Sequence, residues 1–215
     1  MKATNIIRAE GTLSLIGAAG ILIWWFMMPL FLPTGEAADH FQNLVLDPDW
    51  IAVSLVGLIS ILFLILGFPG FFIKHYDRYH TSGFIGLLVS IAGLILYASV
   101  QYYETIIWPA SAQIDPELLQ VKGALVSGDP LVVAGLLVSG VILGAGYILF
   151  GIDSLRTGSF PKVPVWFLIV GAPLFGNGIL FPVRTIGLIL FAAGIIWMTI
   201  IIRKKEVSPG QRDDN

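Results

Sequence analysis

Glu104 is the residue of this chain best suited to chemistry. On a continuous helix Tyr97, Gln101, Glu104 and Trp108 stand at i, i+4, i+7 and i+11 and share one polar–aromatic face. A carboxyl group in an apolar setting serves as a general acid or base, or accepts hydrogen bonds from a polar head group. Two more side chains are expected at the same membrane face. Arg184 follows the tight Phe181-Pro182-Val183 turn, and His40 lies in the segment Glu36-Ala37-Ala38-Asp39-His40. A Glu104–Arg184 pair with His40 nearby makes an outward-facing pocket for an anionic head group or for proton transfer. The plainer alternative has Arg184 snorkelling to lipid phosphate, Glu104 in the wet interface and His40 solvated in its loop.

Three functions fit this inventory. The preferred one is a non-enzymatic bundle that binds lipid or another hydrophobic ligand, or serves as an accessory subunit of a membrane assembly. Short loops and sparse polar residues favour it. The second is an intramembrane enzyme acting on a lipid, isoprenoid or quinone, with Glu104 as acid/base and His40 or Arg184 assisting. The third is a small transporter or channel, which the scarcity of charge within the apolar runs disfavours. Membrane lipids are the expected partners, with a protein partner or homo-oligomer open, and no Lys/Arg stripe points to nucleic acid.

Other polar clusters carry less. Glu36, Asp39 and His40 lack a second histidine at i+4, so no metal is expected there. The loop Lys74-His75-Tyr76-Asp77-Arg78-Tyr79-His80 has cations and aromatics suited to anchoring at an anionic leaflet. Asp153 and Arg156 stand three apart and suggest a local i,i+3 pair. The chain has no cysteine, no Walker A, no GxGxxG and no GxSxG, and its three histidines all fall in loops. No cofactor is expected.

The elements that position these residues are six long apolar runs. Of 215 residues 56% are hydrophobic and 12% charged, and the mean hydropathy is +0.87. Soluble domains carry about 25% charged residues, so most of this chain faces lipid. The runs cover about 11–32, 51–73, 83–105, 131–152, 163–181 and 183–202. Each matches a hydrocarbon core about 30 Å thick, where only a helix satisfies its own backbone. The fold class is therefore all-α, a polytopic six-helix membrane bundle over 1–203 with a disordered cytoplasmic tail at 204–215.

Lys and Arg set the expected direction in the cell membrane. With the N-terminus inside, Lys2, Arg8, Lys74, Arg78, Arg156, Lys162, Arg203, Lys204, Lys205 and Arg212 are cytoplasmic, and only Lys122 and Arg184 lie outside. Both termini are then cytoplasmic. A cleaved signal peptide is the alternative for the first run, which is longer than a usual signal segment. Asp47-Pro48, Asp115-Pro116 and Asp129-Pro130 each place an N-cap acceptor before a proline. The second opens a short interfacial helix, Pro116 to Leu125.

Three helical hairpins in series are suggested by the string GLLVS at Gly86–Ser90 and Gly135–Ser139, and by Ser14-x-x-Gly17 echoing Ser90-x-x-Gly93. Gly140 and Gly144 form a GxxxG, read as close packing within one bundle in preference to a dimer face. Pro29, Pro69 and Pro173 should kink or end helices.

Several segments together resemble a known group. They are Pro33-Thr34-Gly35, Ala38-Asp39-His40-Phe41, Asp47-Pro48, Glu104 followed by Pro109, and Leu149-Phe150-Gly151-Ile152 before Ser154-Leu155-Arg156. The chain resembles a loose group of small, uncharacterised bacterial and archaeal six-helix membrane proteins. The resemblance implies six helices and no activity, and it draws interest to His40 and Glu104.

Overall fold

The computed structural model describes residues 3–31, 45–119, 129–177 and 181–204. Everything regular in them is helical. Helix α1 runs Ala3–Phe31, α2 Pro48–Gly67 and the short α3 Pro69–Ile73. Helix α4, Thr81–Tyr102, passes through a π-helical turn at Tyr103–Ile107 into α5, Trp108–Ile114. Helix α6 covers Pro130–Thr157, α7 Lys162–Asn177 and α8 Phe181–Lys204. Five stretches are long and apolar enough to cross a membrane: Asn5–Met28, Pro48–Ile73, Thr81–Ile114, Pro130–Thr157 and Pro182–Arg203. The sixth, α7, has 16 residues. At about 1.5 Å per residue it is roughly 24 Å long, short of a full hydrocarbon core. The protein is a multi-pass, all-α membrane bundle.

Local signals explain the boundaries. Asp47 Oδ1 accepts from Asp49 N–H at 2.8 Å, and Asp129 Oδ1 accepts from Leu131 N–H at 2.7 Å. Asp115 Oδ1 accepts from Glu117 N–H at 3.1 Å. All three Asp-Pro pairs thus cap as their sequence implies. Gly158 ends α6 with a φ of 63°, left-handed backbone that glycine takes without strain.

Several sequence expectations shift. The third run extends well past residue 105, because the π turn lets the helix continue to Ile114. Phe181-Pro182-Val183 is not a tight turn. It is the first turn of α8, where proline's missing N–H costs nothing. The segment after Asp115 makes only a 3-10 turn, Pro116–Leu119, among the described residues. Residues 120–128 and the expected tail at 205–215 lie outside them.

The helices form a ring in chain order. The closest pairs are α1 with α2, α4 with α6, and α7 with α8, which are three hairpins side by side. Weaker contacts join α2 to α4 and α6 to α7, and α8 packs back on α1 to close the ring. Glycines permit the tight pairs. A Cβ on Gly86 would strike the Phe150 backbone, and one on Gly146 would strike the Ser90 backbone. The GxxxG of α6 faces α7: a Cβ on Gly144 would stand 3.0 Å from Pro173, and one on Gly176 would stand 2.8 Å from the Gly140 carbonyl.

Aromatic rings fill the centre. Phe68, Tyr147, Phe150 and Phe191 are fully buried, and Phe175 nearly so. Ring centroids lie 5.0 Å apart for Phe68–Phe150, 4.7 Å for Phe68–Tyr147 and 4.9 Å for Tyr147–Phe191. Tyr79 stacks on Phe150 at 5.3 Å, and Tyr97 meets Phe175 at 4.9 Å. The column therefore reaches from the end where α1 begins and α8 finishes, here the terminal end, to the opposite, distal end.

Candidate functional site: an arginine cage at the distal end

Arg184 stands in the first turn of α8, where its side chain turns into the ring. Its Nη2 donates to the Tyr97 hydroxyl. Its Cζ lies 5.0 Å from the Trp25 ring centroid, 5.7 Å from Phe175 and 5.9 Å from Tyr97. Three rings from α1, α4 and α7 thus cage one guanidinium, each attracting it through the negative face of its π system. Trp25 is held in place by its Nε1–H, which donates to Thr185 Oγ1 at 2.9 Å.

The π turn forms the second wall. Such turns are rare and cluster at functional sites, because the extra residue per turn redirects side chains. Gln101 comes just before it and is 2% exposed. The Thr105 hydroxyl donates to the Gln101 carbonyl at 2.6 Å, supporting the widened turn. Glu104 lies within the turn, half-buried, and interacts electrostatically with Arg184 and Tyr97. No direct ion pair joins Glu104 to Arg184 among the described residues. Two buried donors have no protein acceptor, Arg184 Nε and Gln101 Nε2.

Of the residues chosen from sequence, Arg184 meets Tyr97 directly and Glu104 electrostatically, while Gln101 lies buried one turn along α4 from Tyr97. Trp108 packs against the core and meets Tyr103, ring centroids 6.2 Å apart. His40, with Glu36 and Asp39, lies outside the described residues. Trp25, Phe175 and Thr185 complete the site without any sequence signal, since an aromatic in an apolar run faces lipid or core with equal plausibility. Among the described residues no group of three His, Cys, Asp or Glu side chains can hold a metal.

At the terminal end Asp153 also departs from expectation. It is 1% exposed and does not pair with Arg156, which is exposed. Its carboxylate reaches across to the start of α4, accepting from His80 N–H at 3.0 Å and from the Ser82 hydroxyl at 2.7 Å. The His80 Nδ1 is 3.1 Å away. Beside it the Tyr79 hydroxyl is 2.9 Å from Ser154 Oγ. This polar knot ties the Lys74–His80 loop to the bundle by its own hydrogen bonds.

No known protein family, curated protein or solved structure matches this chain. What the distal site offers a ligand follows from its own side chains. Arg184 and Gln101 offer donors, Glu104 offers a carboxyl, and the cage supplies an apolar rim. Such a set recognises an acidic oxygen on a molecule whose remainder is apolar.

Proposed function

We propose that the protein is a non-enzymatic bundle that binds an amphiphile, a lipid or similar hydrophobic ligand, by its polar head group at the distal site. One observation carries this reading: Arg184 Nε and Gln101 Nε2 are buried donors without a protein partner. An unsatisfied buried donor costs about 1–3 kcal/mol, so an acceptor supplied from outside is favoured. Arg184 and Gln101 take the acidic oxygen of the head group. Glu104 accepts from its hydroxyl or ammonium, which explains why Glu104 stands apart from Arg184. The aromatic filling of the ring supports a binding bundle over an open pore.

The Lys/Arg bias supports a cytoplasmic terminal end and a site in the outer leaflet. The resemblance to the prokaryotic group adds six helices to this reading and no activity. The test is native mass spectrometry of protein extracted gently from its own membrane. A bound lipid-sized mass that is lost in both Arg184→Ala and Glu104→Gln is the expected result. A bare protein, or a bound mass indifferent to both substitutions, overturns the proposal.

A further inference from the structure

The charges at the distal end narrow the class of amphiphile, on the reading that the site holds a head group at all. Arg184 and Glu104 interact electrostatically, yet among the described residues no ion pair or hydrogen bond joins them. In an apolar setting two opposite charges left apart are each partly desolvated without a counter-charge, which is costly. A molecule carrying one charge of each sign on a short spacer satisfies both.

Arg184 is fixed from one side by its hydrogen bond to Tyr97 and by the ring cage, which leaves its buried Nε as a free donor. Around Glu104 the setting is acidic. Asp129, at the start of α6, interacts electrostatically with Tyr103, the residue before Glu104. Asp47, Asp49, Asp115 and Glu117 stand at the same end, where Arg184 is the one Lys or Arg among the described residues. Lys122 and His40 lie outside those residues, and even both together leave the balance acidic. A purely anionic head group therefore meets Arg184 but sets its charge beside carboxylates.

We propose that the distal site selects a zwitterionic phospholipid with a primary ammonium, a phosphatidylethanolamine, its phosphate on Arg184 and its ammonium on Glu104. A guanidinium presents a fork of donors suited to phosphate. A primary ammonium brings three N–H donors to the carboxylate, whereas the quaternary ammonium of choline brings none. Choline is recognised instead by an aromatic cage, and the cage here is filled by the protein's own guanidinium. Phosphatidylglycerol supplies the phosphate without the cation.

The experiment is native mass spectrometry of the delipidated full chain. It is offered an equal mixture of phosphatidylethanolamine, phosphatidylglycerol and phosphatidylcholine with identical acyl chains. Phosphatidylethanolamine should bind the wild type about tenfold more tightly than either competitor, a difference of about 1.4 kcal/mol. Glu104→Gln, a neutral isostere, should bring it down to the level of the other two, and Arg184→Ala should weaken all three together. Should Glu104→Gln fail to fold, the wild-type order of the three lipids decides. Equal retention of the three, or a preference for either competitor, overturns this inference and leaves the amphiphile reading standing. A phosphatidylethanolamine preference that survives Glu104→Gln does the same. Retention of none of the three also overturns it, and the mass carried out of the native membrane then judges the amphiphile reading separately.

Discussion

The Asp153 carboxylate caps the helix that begins at His80, 73 residues earlier in the chain. It takes the His80 N–H and the Ser82 hydroxyl while itself almost wholly buried, so α4 and α6 are joined at the terminal end by a side chain doing the work of an N-cap. Asp153→Ala leaves both donors without their acceptor. The expected loss is about 1–3 kcal/mol of stability, more than an ordinary cap substitution. A lower Tm in thermal unfolding checks it, and Arg156→Ala should leave the Tm nearly unchanged.

At the distal end Tyr97→Phe removes the acceptor of Arg184 Nη2 while keeping the ring. Retention of the head-group ligand should fall by about 1–3 kcal/mol, or roughly five- to two-hundred-fold in affinity. Arg184→Lys should fail to restore binding, because a compact ammonium cannot reproduce the guanidinium's fork of donors between Trp25 and Phe175. Both are read by ligand occupancy in native mass spectra.

The GxxxG of α6 predicts a stability effect without an assembly effect. Gly144→Leu drives a branched side chain into Pro173 of α7 and should cost about 1–3 kcal/mol or more. Light scattering in detergent should give the same oligomeric state for wild type and variant. A change of state would place the motif at an interface between copies.

Direction in the membrane is open to a simple test, because the chain has no cysteine. Single cysteines at the exposed Tyr76 and Leu131 stand at opposite ends of the bundle. A membrane-impermeant thiol reagent added to intact cells should label Leu131→Cys and spare Tyr76→Cys. The reverse pattern would invert the expected topology.

Alkaline pH gives a further test through Tyr79, which lies in the loop outside the crossing stretches. Burial, as the main cause, pushes its phenol up from the ordinary value of 10.0. The folded state therefore holds the proton more tightly than the unfolded state. Stability from this group is complete below about pH 10 and declines as pH rises above it. Tyr79→Phe should flatten that alkaline decline in Tm, at the expense of the Ser154 contact.

Much of the architecture was legible in the residues alone. Long apolar runs demand helices, since no other structure satisfies a backbone in hydrocarbon, and the three Asp-Pro pairs mark their caps by local hydrogen bonding. The face shared by Tyr97, Gln101 and Glu104 also follows from helical spacing. Longer-range features left no such trace. Trp25 and Phe175 meet Arg184 only through the packing of α1, α4, α7 and α8. The physical reason is the lipid solvent. In lipid a side chain facing the bundle and one facing the acyl chains are equally apolar, so composition fixes that a helix crosses the membrane, and only tertiary packing decides what each of its faces meets.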